Sequence, residues 1–161
     1  YYNHWQLEFQ PVGLINRGAP AEYTAWGALI REALQKPAPV EIGLSAGIDD
    51  DVITIRTLVR GVDGDSQGML QLWIVEDNIT AFQMMPNGSR DNNYVHRHVF
   101  RAAVNGEWGE AIEVKEGYSV EREHTMAIAD DWNSDNLSIV AFLYNDSGVL
   151  QVTHANLSPL L

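Results

Sequence analysis

Two histidines, His96 and His98, stand one residue apart in a stretch rich in aromatic and apolar residues. On a β-strand, residues i and i+2 face the same side, so both imidazole rings could bind one metal ion, with an acidic side chain as third ligand. Such a zinc site could be structural or hydrolytic. The alternative is a structural role, in which the two rings join Tyr94 and Phe100 on one half-buried face. No third ligand is evident in the sequence, which favours the structural interpretation.

Residues 63–68 resemble the first half of a calcium-binding loop. Asp63, Asp65 and Gln67 place side-chain oxygens at the first, third and fifth positions, and a glycine stands at the sixth. The bidentate acid expected at the twelfth position is absent, because Ile74 occupies it. A polar hairpin tip explains the same residues. We therefore expect no cofactor, with Zn²⁺ at the histidines and Ca²⁺ at this loop as the alternatives.

The chain contains five tryptophans and six tyrosines, which is enough for a sugar-binding platform. Trp73, Trp108 and Trp132 lie in or beside predicted β structure, where exposed rings can stack on the faces of sugars. Most aromatic side chains of a β-sandwich instead pack in its core or at its edges. The sequence leaves both roles open, and these three tryptophans are candidate ligand-binding residues.

No catalytic motif is recognisable in the chain. It lacks a Gly-x-Ser-x-Gly elbow, a His-Glu-x-x-His motif and a phosphate-binding loop. It contains no cysteine, which excludes thiol nucleophiles, disulfides and thiolate metal sites within these residues. Glu107 and Glu110 flank Trp108 like the carboxylates of a glycosidase, but acidic residues are abundant enough for such a pair to arise by chance. We expect a protein that is not an enzyme.

The charge balance narrows the range of partners. The 161 residues include 10 lysines and arginines against 22 aspartates and glutamates, a formal net charge of −12. Phosphate backbones and anionic lipid surfaces both require clustered positive charge, so neither nucleic acid nor an anionic membrane surface is an expected partner. No apolar run approaches the roughly 20 residues of a membrane span.

The elements that must position these residues fall into two regions on either side of residues 37–39, whose two prolines end a helix. The first region, residues 1–36, contains a short strand at residues 14–15 and one helix over residues 21–35, where apolar side chains recur at helical spacing. The second region, residues 40–161, consists of strands and turns. Its predicted strands are 53–59, 70–75, 94–101, 111–114, 125–129, 137–144 and 150–155.

Strands and turns at this spacing are typical of an antiparallel sandwich. The predicted fold class is mainly β, an antiparallel β-sandwich of about seven or eight strands preceded by a short strand and one α-helix. Residues 137–143 are apolar at nearly every position, which predicts a central strand covered on both faces.

Four segments carry a further signal through their order and spacing. They are residues 73–79 (WIVEDNI), 93–101 (NYVHRHVFR), 105–110 (NGEWGE) and 137–144 (LSIVAFLY), the last leading to 149–152 (VLQV). Together they resemble the Omp28-related family of outer-membrane and cell-surface lipoproteins of Bacteroidetes. The resemblance covers most of the chain, and the segment with both histidines is the most specific.

The resemblance implies a domain organisation and a location. Family members often carry a thioredoxin-like domain ahead of the β domain. Residues 1–36 would then be the C-terminal remnant of a thioredoxin-like domain, residues 37–39 a linker and residues 40–161 an Omp28-like β-sandwich. The family implies an exported protein at the outer membrane or cell surface. The lipid-bearing cysteine of a lipoprotein is not among these residues.

These observations lead to three functional hypotheses. The leading one is a non-catalytic, exported domain with a surface-binding or adhesion-like role, whose partner is a protein or a glycan at the cell surface. The first alternative is a carbohydrate-binding β-sandwich module that uses the tryptophans. The second is a metal-binding domain built on His96 and His98.

Overall fold

The computed structural model describes residues 3–8 and 11–159. Near its start, β1 (Val12–Gly13) and β2 (Ala21–Glu22) pair antiparallel, with a 3₁₀ turn at Ile15–Arg17 between them, and α1 (Tyr23–Ala33) follows directly. The predicted helix is present in a shorter form. The predicted strand at residues 14–15 is displaced to β1, because the chain enters the 3₁₀ turn at those positions.

The helix packs back onto the two short strands through Trp26. The indole Nε1 of Trp26 donates a hydrogen bond to the carbonyl oxygen of Ala21 at 2.9 Å. Any side chain at Gly13 would clash with the same ring, so the glycine allows the helix to approach β1 closely. The apolar stripe of α1 is only partly covered, since Ile30 is 44% exposed and Leu34, at the helix end, is 79% exposed.

The rest of the chain is almost entirely β structure. Among the described residues there is one α-helix, and none is long and apolar enough to cross a membrane. A second 3₁₀ turn, Ser134–Asn136, precedes the longest apolar strand. The strands are β3 (Val40–Asp49), β4 (Val52–Gly61), β5 (Ser66–Glu76), β6 (Ile79–Met84), β7 (Arg90–His96), β8 (Val99–Ala103), β9 (Glu110–Val114), β10 (Ser119–Ala127), β11 (Leu137–Asn145), β12 (Gly148–Asn156) and β13 (Ser158–Pro159).

Two sheets form the sandwich. The first has the strand order β10-β4-β3-β13 and is antiparallel except for the short β3–β13 pair. The second has the order β12-β11-β5, and β5 continues the sheet by pairing with β8 along one part and with β9 along another. β6 and β7 form a separate hairpin that leaves and rejoins the second sheet. The predicted mainly β class, an antiparallel sandwich after one helix, is confirmed.

The core lies between the two sheets and is built from alternate residues of their strands. Ile53 and Ile55 point inward from β4, and Leu70 and Leu72 point inward from β5. Each such side chain, when fully buried, stabilises the fold by roughly 1.5–3 kcal/mol. The core residues of β9 and β11 are Ile112, Val114, Leu137, Ile139, Ala141 and Leu143.

β11 is covered on both faces, as its apolar run predicts. Its outer face presents Phe142 and Tyr144, which are 6% and 7% exposed. Leu14 and Ile15 from the N-terminal region line a groove of about 350 Å³ together with Phe142. The N-terminal elements thus form an incomplete third layer on the outer face of the second sheet.

The Asn105 side chain bonds the backbone of β5 at the point where neither β8 nor β9 pairs with it. β8 ends at Ala103 and β9 begins at Glu110, so the backbone of β5 between them has no neighbouring strand on this side. The Asn105 side chain accepts a hydrogen bond from the Leu72 N–H at 3.0 Å and donates one to the Leu70 carbonyl at 2.8 Å. One side chain therefore takes the place of a strand residue.

The sandwich has more strands than the predicted number. Residues 94–101, predicted as one strand, belong to β7 and β8, which separate because His98 adopts a left-handed backbone with φ of 54°. Its N–H donates to the Asp77 carboxylate at 2.6 Å, which holds this break. β3 was missed because Gly43, Ala46 and Gly47 weaken the strand signal of its alternating pattern.

Candidate functional site

The two histidines do not lie on one continuous strand. His96 is the last residue of β7 and is half-buried, with its ring centroid 4.8 Å from that of Tyr94. His98 follows after the strand has ended. Its side chain is 75% exposed and its Nδ1 lies 3.2 Å from Asp77 Oδ1. The i and i+2 rule therefore does not apply to this pair, and the structure gives His98 a carboxylate partner of its own.

The candidate calcium residues are also divided between different surroundings. Asp63 is exposed in the loop between β4 and β5, and Asp65 accepts a hydrogen bond from the backbone N–H of Glu116 at 3.0 Å. Gln67 is already part of β5 and pairs there with Glu113. Across the part of the chain that the structure describes, no group of three or more histidines, aspartates or glutamates is placed to hold a metal ion. The zinc and calcium sites remain predictions.

The three candidate tryptophans lie in three surroundings. The Trp73 ring packs edge-on against Phe100 and Phe142, with centroid distances of 5.4 and 4.8 Å. The Trp108 ring lies 4.5 Å from the ring of His4. Trp132 is half-buried against the core. The three residues remain predicted ligand-binding residues.

A row of aromatic rings, which we call the aromatic row, nevertheless crosses the outer face of the second sheet. Phe100, Trp73, Phe142 and Tyr144 follow one another at centroid distances of 5.4, 4.8 and 5.8 Å. The predicted ligand-binding residues do not include Phe142 or Tyr144, although their i and i+2 spacing on a strand predicts that they share a face. The row ends at Tyr144, where a pocket opens.

This pocket, the Tyr144 pocket, has a volume of about 690 Å³. That size lies within the range of ordinary ligand sites, roughly 300–1,000 Å³. Its walls combine aromatic rings, a guanidinium group and amide and carboxylate side chains. Residues that line it include Trp5, Arg17, Gln67, Glu113, Tyr144 and Asp146.

Hydrogen bonds fix several of the residues that line the pocket. The Tyr144 hydroxyl donates to the carbonyl oxygen of Trp108 at 2.7 Å. Asn145 donates from its side chain to the Gln67 carbonyl at 3.2 Å and accepts from the backbone N–H and the hydroxyl of Ser147 at 2.9 and 2.6 Å. The turn between β11 and β12 is thereby fixed against the start of β5, which makes the pocket a pre-formed feature.

Arg17 is one of the residues that line the Tyr144 pocket. Its Cζ lies 3.7 Å from the centroid of the Tyr144 ring, 5.4 Å from that of Trp5 and 5.8 Å from that of Trp108. These are cation–π distances, which attract a guanidinium to the ring faces. Nothing in the sequence singles out Arg17, because a single arginine in a short loop forms no recognisable pattern. The structure therefore joins one of the candidate tryptophans, Trp108, to a site centred on other residues.

Comparisons with known proteins identify the family and the fold of this chain. A family model described as outer membrane protein Omp28 matches residues 1–159. None of the curated proteins matches the chain. The crystal structure of a domain of the outer membrane lipoprotein Omp28 from Porphyromonas gingivalis is 25% identical, with a TM-score of 0.54, and the match covers 76% of this chain and 90% of that chain.

Two further solved structures share the fold. HBP35 of Porphyromonas gingivalis is 16% identical with a TM-score of 0.63, over 81% of this chain and 45% of that chain. Spo0M, a sporulation control protein from Bacillus subtilis, is 10% identical with a TM-score of 0.50, over 74% of this chain and 48% of that chain. At these identities the likeness concerns the architecture alone.

Proposed function

The chain belongs to the outer membrane protein Omp28 family, and from this membership we propose that it is a non-catalytic, surface-binding domain. The family match confirms the expectation of an exported protein at the outer membrane or cell surface. Omp28 is not a known enzyme family, which supports a role in binding rather than in turnover.

The Tyr144 pocket is the observation that carries the proposal. It is a pre-formed cavity of ligand size whose wall contains two aromatic rings, those of Trp5 and Tyr144. Pockets that bind small molecules combine apolar walls with a few fixed polar groups, and this one adds Arg17 and Gln67 to the rings.

We favour a carbohydrate as the ligand of this pocket. Sugars present apolar C–H faces, which stack on aromatic rings, and hydroxyl groups, which need both donors and acceptors. Trp5 supplies a ring face, Gln67 supplies an amide, and Asp146 supplies a carboxylate acceptor.

A glycan array tests the carbohydrate proposal. The wild-type chain carrying a biotin tag should be retained by a subset of immobilised glycans, and Trp5→Ala should weaken this retention about two- to tenfold, the usual worth of one aromatic contact. Tyr118→Ala is the matched control, because Tyr118 is a 71% exposed aromatic residue outside the pocket. Retention by no glycan, or equal retention of Trp5→Ala and wild type, would contradict the proposal.

Adhesion to a protein is the second candidate function, favoured by the β6–β7 hairpin. This hairpin exposes apolar side chains, among them Phe82 at 51% and Val95 at 47%. Isolated apolar side chains are ordinary on a surface, whereas a contiguous group of exposed apolar side chains indicates an interaction site, and these residues share one hairpin. The double variant Phe82→Ser/Val95→Ser should lower adsorption to a panel of immobilised extracellular proteins, whereas Val152→Ser, an equally exposed position elsewhere, should not. Unchanged adsorption of the double variant would exclude the hairpin.

A further inference from the structure

Arg17 lies in a loop with an unfavourable backbone conformation that neighbouring contacts maintain. Asn16 and Arg17 have φ values of 53° and 58°, a left-handed region that residues other than glycine rarely adopt. The Asn16 side chain accepts a hydrogen bond from the Val149 N–H at 2.9 Å, and Gly148 leaves the space that Asn16 occupies. Conformations of this kind persist where the surrounding structure enforces them, and they are concentrated at functional sites.

The Arg17 guanidinium lies among three aromatic rings. Its plane is engaged by the Tyr144 ring, and Trp5 and Trp108 lie on its flanks. Among the described residues, no aspartate or glutamate forms an ion pair with it, although the chain has 22 of them. The N–H donors of a guanidinium point outward in its plane, in a fork that matches the two oxygens of a carboxylate.

The acidic residues of the pocket limit which anion can enter. Glu113 and Asp146 are exposed and line the same cavity. A ligand with several negative charges would be repelled by them, while hydroxyl groups would find acceptors in them. The complementary ligand therefore has one carboxylate for Arg17, hydroxyl groups for the two acidic side chains and an apolar face for the Trp5 ring.

We propose that the Tyr144 pocket binds an acidic saccharide, a sugar whose carboxylate is held by Arg17. This inference rests on the proposed carbohydrate-binding function and narrows it to one ligand class. It assigns to Arg17 the role of specificity-determining residue, with Trp5 as the stacking surface and Tyr144 as the ring that holds the guanidinium.

The test uses a glycan array that carries neutral, uronate-containing, sialylated and sulfated saccharides. The wild-type chain should retain carboxylated glycans, and Arg17→Gln should weaken their binding by about tenfold or more, because a charge-assisted hydrogen bond is lost. Arg31→Gln is the matched control, since Arg31 is an exposed arginine of α1 outside the pocket. Its binding should equal that of the wild type.

Two further measurements separate charge from fold. Methyl esterification of the retained glycan removes its negative charge and keeps its hydroxyl groups, so wild type should bind the ester about tenfold more weakly while Arg17→Gln should bind acid and ester alike. Arg17→Lys keeps the charge without the planar fork and should bind at an intermediate strength. Thermal unfolding of each variant shows whether the chain is folded.

The outcomes distinguish this inference from the function on which it rests. Retention of neutral or only sulfated glycans would overturn the carboxylate assignment and leave a carbohydrate-binding domain. Retention of carboxylated glycans with equal strength by Arg17→Gln would overturn the role of Arg17. Retention of no glycan by the folded wild-type chain would overturn both proposals.

Discussion

Glu76 and Arg101 form a half-buried ion pair that fixes a long loop to the second sheet. The Nε of Arg101 lies 2.6 Å from Glu76 Oε2, and the side chains are 21% and 5% exposed. The other oxygen of Glu76 accepts a hydrogen bond from the Asn133 N–H at 3.0 Å. This pair could not be predicted from the sequence, because its partners are isolated charges on separate strands.

The change Glu76→Ala should destabilise the chain strongly. It leaves the Arg101 charge largely buried without its main partner and the Asn133 N–H without an acceptor, and removal of one member of a buried pair costs about 3–5 kcal/mol. Urea unfolding measures the effect. The matched control is Glu123→Ala, whose partner Arg56 is 62% exposed, so that pair should contribute at most about 1 kcal/mol. Equal losses in the two variants would contradict this account.

The metal hypothesis has a direct test in thermal unfolding. Because His98 contacts Asp77 and does not share a strand with His96, we expect neither Zn²⁺ nor Ca²⁺ to raise the Tm of an EDTA-treated sample. A metal ion at about a hundred times its Kd would stabilise the fold by about 2.7 kcal/mol, or roughly 5–11 °C. A zinc-dependent rise that disappears in His96→Ala would establish the histidine site. A calcium-dependent rise indifferent to that change would point to Asp63 and Asp65.

At the residue level, the sequence predicts which kinds of side chain a site contains better than which side chains contact one another. Phe142 and Tyr144 could have been assigned to one face from strand alternation alone. Arg17 could not, because its position over Tyr144 depends on a left-handed loop and on Asn16, which contacts a turn more than a hundred residues away. Tryptophan content indicated an aromatic site, but only Trp108 of the three candidates contacts the arginine.

Among the elements, β5 depends most on a single side chain outside it. Asn105→Ala should leave the Leu72 N–H and the Leu70 carbonyl without partners, at a cost of about 2–4 kcal/mol for the two groups together. Asn92→Ala is a suitable control, because Asn92 is exposed on the β6–β7 hairpin. Denaturant unfolding of the two variants should differ by at least about 2 kcal/mol. Similar midpoints would show that water or a backbone shift replaces the Asn105 bonds.

The elements were predicted where their periodicity is strong. The alternation of β4 and the unbroken apolar run of β11 identify an inward face and a doubly covered strand, and both are observed. The division between β7 and β8 was not predicted, because it depends on the capture of the His98 N–H by Asp77, a contact distant in sequence. The local hydrophobic pattern thus determines that a strand forms, whereas hydrogen bonds between residues distant in sequence determine where it ends.

At the scale of the whole molecule, the two-sheet core should remain folded without the N-terminal layer. All residues of the buried core lie between Val40 and Leu143. We therefore expect a shortened chain of residues 37–161 to unfold cooperatively, with a Tm lower by roughly 4–12 °C, because the outer faces of Phe142 and Tyr144 lose about 2–3 kcal/mol of burial. The shortened chain should also bind a hydrophobic dye. Absence of a cooperative transition would show that the N-terminal layer is required for folding.

The position of Arg17 between indole rings has a practical consequence. Trp5 and Trp108 lie within 6 Å of its guanidinium, and Trp108 also contacts the ring of His4. Indole emission responds to charge and polarity in its immediate surroundings. A ligand that draws the guanidinium toward itself would change the light emitted by these two residues, while Trp26, Trp73 and Trp132, packed elsewhere, would supply the background emission. These two residues would thus report ligand binding in the proposed site, and a titration could be followed without any label.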